Sequence, residues 1–220
     1  MHNESKKMPT VDYRINNEKV PSVTTVLGRF KNSTGLVIWA NQIGLKGQLY
    51  HDELKKAGNI GTALHDLAEL HIKNEYYELP QDEKVRHCFN QFLQWWDNRE
   101  YKLTWTEKNF CSSKYLYGGT PDLLVVDRLN QNILIDFKTS KGIYTDYLVQ
   151  GSAYAQLIKE NQNIDIDKFI ICRFPKDNSE TEIKEFSKDD LKYAFKYFKV
   201  LRKAFDLDKK INKLTRKVKK

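Results

Sequence analysis

Cysteine is scarce in this 220-residue chain: Cys88, Cys111 and Cys172 are far apart and odd in number. Neither a disulfide framework nor a Cys-x-x-Cys metal site is indicated, so the three thiols read as reduced and mostly structural. No apolar run approaches the roughly 20 residues that span a bilayer, and the first ten residues, MHNESKKMPT, lack the apolar segment of a signal peptide. A cytoplasmic protein without membrane contact is expected. Internal repeats and linker-like stretches are also missing, and 40% hydrophobic with 12% aromatic residues is ample for a substantial core. Acidic residues run short at one end only. Residues 188–220 hold 13 Lys and Arg against 4 Asp, or +9, which leaves 24 against 25, or −1, for everything before them.

What the chain does have is a knot of charge inside an apolar stretch. Residues 118–140, GGTPDLLVVDRLNQNILIDFKTS, read as two short strands joined by a turn. Side chains alternate along a strand, so Asp136 and Lys138 point one way while Phe137 points into the opposite layer. Pro121 has no backbone donor and suits a strand end or bulge, leaving Asp122 where the first strand turns apolar and able to face Asp136. Two facing carboxylates repel unless something positive lies between them, and oxygen ligands of this kind suit Mg²⁺ or Mn²⁺. A lysine beside such an ion orients or deprotonates a water and offsets charge on a phosphoryl oxygen, as metal-assisted phosphodiester hydrolysis requires. Taken alone, Asp-x-Lys on a half-exposed strand reads as a solvated face, and the wider context is what changes this.

Two flanking motifs widen the context: Gly61-Thr62-Ala63-Leu64-His65 upstream and Gln150-Gly151-Ser152-Ala153-Tyr154 downstream. Together with Pro121-Asp122 and Asp136-Phe137-Lys138 they resemble, in order, the signature of the PD-(D/E)XK nuclease superfamily in its RecB-like branch, including phage-type exonucleases. The resemblance covers residues 20–175. It implies a restriction-endonuclease-like α/β core and a Mg²⁺ or Mn²⁺ ion held by His65, Asp122, Asp136 and the backbone carbonyl of Phe137. It further implies that Lys138 activates water and that Gln150 and Tyr154 support it. Glu69, one turn beyond His65, and Glu107 are secondary candidates; the resemblance to a glutamate upstream of the Gly-x-x-Asp element is what singles out Glu107. One branch of the superfamily carries an iron-sulfur cluster on four cysteines, and three scattered cysteines lead us to expect none here.

In chain order, YRINNEKV at residues 13–20 alternates around Asn16-Asn17 and predicts a small hairpin. Ser22 or Thr24 would cap a helix, and Leu36, Val37, Trp39, Ala40 and Ile43 predict another, ending near Gly44, with Trp39 in the core. Asn59 or Thr62 is the expected start of the helix carrying His65. Residues 81–101 predict a long amphipathic helix, 103–111 a single strand, 144–161 a helix with Gln150 and Tyr154 on one face, 169–174 and 180–186 two strands, and 191–205 a final helix. His2, His51, His71 and His87 fit no ligand pattern.

The expectation is an α/β fold with a central mixed sheet flanked by helices. Residues 1–187 would form the nuclease-like domain and 188–220 a basic helix and tail that binds phosphate. The expected activity is metal-dependent DNA hydrolysis from single-stranded or frayed ends, in recombination, repair or phage DNA processing; the sequence leaves the oligomeric state open, with a monomer favoured over an oligomer. The alternatives are a non-catalytic nucleic-acid-binding module, a structure-selective endonuclease, and an RNA-directed enzyme.

Overall fold

The computed structural model describes residues 11–217; His2 and residues 218–220 of the basic tail lie outside the described residues. The chain opens with a hairpin of β1 (Arg14–Ile15) and β2 (Glu18–Lys19). Its turn uses Asn16 and Asn17 at positive φ, 50° and 65°, the conformation a tight hairpin needs and asparagine tolerates. Helix α1 (Val23–Phe30) is capped by Ser22, whose side chain accepts from the Thr25 N–H. Helices α2 (Thr34–Leu45), α3 (Tyr50–Ile72) and α4 (Glu83–Trp96) follow, the last capped by Asp82.

Then come β3 (Lys102–Thr106), the short hairpin β4 (Phe110–Ser112) and β5 (Tyr117–Gly119), and the strand pair β6 (Leu123–Val126) and β7 (Asn132–Lys138). Helix α5 (Thr145–Gln162), β8 (Lys168–Arg173), β9 (Glu182–Ser187) and the thirty-residue α6 (Lys188–Lys217) complete the chain. The main sheet has the order β3-β6-β7-β8-β9. Only β7 and β8 run parallel, and α5 supplies the crossover that a parallel pair requires. This is the expected α/β architecture, a five-stranded mixed sheet between helical layers.

Strand alternation sorts the core into those two layers. Leu123, Val125, Ile133, Ile135, Phe137, Ile170 and Cys172 face α3 and α4, where Leu64, Phe89 and Phe92 are fully buried. Leu124, Leu134, Phe169 and Ile171 face α1, α5 and α6. Each such side chain contributes about 1.5–3 kcal/mol on burial. Among the described residues, no helix is long and apolar enough to cross a membrane.

Four local expectations are corrected. The helix bearing His65 starts at Tyr50, so Asn59 and Thr62 lie in its interior. There the packing of Ile60, Leu64, Leu67 and Ala68 outweighs the weak helix propensity around Gly58 and Gly61. Residues 103–111 are two strands, because the chain turns at Glu107, which takes a positive φ of 41° and donates its N–H to the Asp122 carbonyl at 2.8 Å. Residues 118–140 span two sheets, with Gly118 and Gly119 pairing to β4 rather than β7. Helix α2 forms, but Leu36, Val37 and Ile38 are exposed and Trp39 is only half-buried, against the edge of Tyr50.

Candidate active site

Antiparallel pairing sets Leu123 against Ile135 and Leu124 against Leu134, so Asp122, one residue before β6, stands at the level of Asp136. Both lie at the end of β7 where the chain leaves for the crossover helix. Asp122 is fixed from both sides: its Oδ2 accepts from the Phe137 N–H at 3.0 Å, and its own carbonyl accepts from Glu107. The preceding loop is clamped too. Tyr13 donates to Thr120 Oγ1 at 2.6 Å, and Thr120 donates to Asn109 Oδ1 at 2.5 Å.

Asp136 is 1% exposed and forms an ion pair with Lys138, the two side chains leaning together from the same face of β7. Beyond the Lys138 contact, neither Asp136 carboxylate oxygen has a hydrogen-bond donor among the described residues. Burial pushes the Asp136 carboxyl above the ordinary aspartate range; Lys138 opposes this and Asp122 adds to it. Burial works against the Lys138 ammonium, yet the charges of Asp136 and Asp122 outweigh it and hold the group protonated beyond an ordinary lysine.

His65 approaches from α3, on the other side of the sheet. An added Cβ at Gly61 would stand 3.4 Å from Thr139 Oγ1, so this part of α3 runs at contact distance from the end of β7. One turn later the His65 Nε2–H donates to the Phe137 carbonyl at 3.0 Å, while Nδ1 faces Asp122 Oδ2 at 3.5 Å. With Nε2 as donor, a neutral ring turns the Nδ1 lone pair toward a carboxylate, a contact that needs a proton or a cation between the two. The Phe137 carbonyl is thus engaged by His65. Among the described residues, no three His, Cys, Asp or Glu side chains converge as a ready-made metal cluster.

Glu69 and Glu107 line the same small cleft as His65, Thr106 and Asp122. Burial raises Glu69, but hydrogen bonds from Lys73 and Thr106, each 2.6 Å, outweigh it and leave the carboxyl below its usual range. Glu107 is raised, first by burial and then by the charges of Glu69 and Asp122. Gln150 and Tyr154 do lie on one face of α5, but they bond to each other, Gln150 Nε2 donating to the Tyr154 hydroxyl at 2.9 Å. Tyr154 is buried, which drives its phenol far above the usual range. The group that does meet Lys138 is Tyr147, whose ring centroid lies 5.0 Å from Nζ. Sequence reasoning passed over it, although it stands three residues before Gln150 and seven before Tyr154, the spacing of a shared helical face.

The arrangement offers two carboxylates, an imidazole and a carbonyl at one strand end, with a half-buried ammonium beside them. The orphaned oxygens of Asp136 and the facing pair His65 Nδ1 and Asp122 Oδ2 fit a hard divalent cation, for which oxygen and imidazole donors are suited.

No protein-family model matches the chain, and no curated protein does. Among solved structures, the fold is similar to that of a protein from Eubacterium rectale provisionally described as an exonuclease, with a TM-score of 0.38 and 10% identity over 79% of this chain and 69% of that one. It is also similar to the protein SSO0001, with a TM-score of 0.38 and 15% identity over 86% and 78% of the two chains. At these values the likenesses carry no argument about activity.

Proposed function

We propose that this protein is a divalent-metal-dependent deoxyribonuclease of the PD-(D/E)XK type, RecB-like branch, which hydrolyses DNA phosphodiester bonds from single-stranded or frayed ends. The observation that carries the reading is Asp136: a carboxylate 1% exposed, without an ordinary hydrogen-bond donor, beside a half-buried lysine. Desolvating such a pair costs several kcal/mol per ion, and an apolar pair of similar size would serve the fold as well or better. Placed at a strand end, next to a second carboxylate and a histidine, the pair reads as chemistry retained at the expense of stability.

Asp122, Asp136 and His65 would hold the ion, joined by the Phe137 carbonyl once His65 releases it. When bound, the ion polarises the phosphodiester and makes a nucleophile of water near neutral pH. The chain's own groups do the rest. Lys138, as an ammonium, donates to the phosphoryl oxygen on which charge develops, and Tyr147 limits where that ammonium can swing. Hydrolysis joins the water oxygen to phosphorus, breaks the bond to the leaving oxygen and returns a proton to it. Glu107, half-buried with its carboxyl raised, is placed to take up a proton nearby. The lysines and arginines of α6 bind backbone phosphate without reading sequence.

The test pairs a linear DNA single strand with its covalently closed circle, each with Mg²⁺, Mn²⁺ or EDTA. Metal-dependent loss of the linear strand, with the circle intact, is expected. Rapid loss of the circle without a lag refutes end dependence and leaves an endonuclease. The unconverged ligand set favours one other reading, a module that binds nucleic acid without cutting it; retention of both substrates with tight binding at every metal concentration would establish that instead.

A further inference from the structure

Helix α6 carries two apolar stripes, and its own chain covers only one. Leu191, Ala194, Phe198, Leu201 and Phe205 are buried against the sheet and α5. On another side, Tyr193, Tyr197 and Val200, then Leu207, Ile211 and Leu214, are each between 54% and 76% exposed. With half-buried Ala204 between the two sets, the spacing alternates four and three residues from 193 to 214. Single exposed apolar residues are ordinary on a protein surface, but a straight heptad seam of about 30 Å is not. Residues 206–216 are exposed apart from half-buried Asp208, which Arg29 of α1 holds at 2.7 Å; Asp206 and Lys209 still line a groove with the β1–β2 hairpin, and past them the helix leaves the body of the protein. Among the described residues, none buries Leu207, Ile211 or Leu214.

We propose that a second copy of this chain covers that seam, the two α6 helices pairing in parallel as a two-stranded coiled coil. The residue identities select this occupant. Leu207 and Leu214 take the d positions and β-branched Ile211 the a position, the combination that favours parallel pairs. The flanks select the direction. Lys196, Lys203 and Lys210 occupy g, so an antiparallel pair would set lysine against lysine. A parallel pair sets Lys203 of one copy against Asp208 of the other. Nucleic acid fits the seam poorly, because bases stack on aromatic rings and phosphates seek charge, whereas the projecting part of the seam is aliphatic. Lys209, Lys213 and Arg216 point away from the seam and stay free for phosphate. A dimer answers a question the sequence left open, and it does not depend on the nuclease reading.

Sedimentation of the full chain across low to high micromolar concentration tests the proposal. The mass should rise toward twice the 26.0 kDa of one chain. The triple variant Leu207→Gln, Ile211→Gln, Leu214→Gln should stay monomeric with an unchanged unfolding midpoint at high dilution, since these side chains are exposed and bury no core among the described residues. A Leu214→Cys chain that also carries Cys111→Ser, since Cys111 is half-buried while Cys88 and Cys172 are buried, should form a disulfide-linked dimer under mild oxidation, because d positions meet across a parallel seam. A wild-type chain that remains monomeric at all concentrations, or a triple variant that still dimerises, overturns the proposal. Dimerisation without Leu214→Cys cross-linking overturns the parallel arrangement.

Discussion

Lys138→Met puts the buried pair under direct test. Asp136 is 2% exposed at its side chain and Lys138 16%, so removing the ammonium strands a carboxylate away from water. Breaking one partner of such a pair costs ~3–5 kcal/mol. Asp136 can soften this by taking a proton, a change its raised carboxyl already leans toward, so the lower end, about 3 kcal/mol, is expected. For a chain of this size that lowers Tm by about 6–12 °C. The double variant Asp136→Asn, Lys138→Met removes both charges at once and should return to within about 1 kcal/mol of wild type, or exceed it. The coupling energy would then be about 3 kcal/mol. Urea unfolding in EDTA, with the slope m checked for constancy, measures the cycle. Single and double variants alike should be inactive, so stability and activity would separate. A Lys138→Met loss below about 1 kcal/mol, or a double variant as unstable as the two singles summed, would refute the buried, mutually compensating pair.

Three further outcomes are expected. Gly151→Ala should lose about 2 kcal/mol or more despite better helix propensity, because its Cβ would stand 2.2 Å from the Phe169 ring in the α5–β8 contact; a calorimetric Tm no lower than wild type would show that the ring yields. Tyr147→Leu should lower kcat with KM little changed while Tyr147→Phe stays near wild type, since the ring face rather than the hydroxyl meets Lys138; equal losses in both would assign the effect to the hydroxyl. Replacing Lys209, Lys213 and Arg216 by Gln should flatten the log–log dependence of single-strand DNA affinity on salt by about 2, and an unchanged slope would mean that these residues do not touch phosphate.

How far the sequence led depends on which physical rule governed each segment. Alternation along β7 is a property of any strand, so Asp136 and Lys138 on one face and Phe137 on the other were legible before the fold. The start of α3 was not. Asn59 and two glycines look like a helix boundary, and only the packing of Ile60 and Leu64 against the sheet keeps the helix running through them. The break at Glu107 was hidden because the alternation of Leu103 to Thr106 and the β-prone Phe110 beyond suggested one strand across the polar run between them, while the turn is held by a backbone bond to Asp122, fifteen residues away. For α2, apolar composition suggested burial, yet Leu36 and Val37 face outward, since composition does not reveal which neighbour a helix finds.

The same distinction separates the firm parts of the site from the adjustable one. Asp122 and Asp136 ride on a paired hairpin; Asp122 is bonded through both carboxylate and carbonyl, and Asp136 is enclosed by the core. Lys138 ends β7, where that strand leaves for the crossover, the position at which α/β sheets commonly gather ligands. His65 comes from the opposite helical layer and is held at the strand end by one hydrogen bond, to the carbonyl that the ion-bound arrangement would itself require. A small slide of α3 along β7 changes that bond while leaving both carboxylates in place. On the proposed function, the hairpin would fix where a phosphate is attacked, and the seating of α3 would govern whether the imidazole joins the carboxylates or caps the strand.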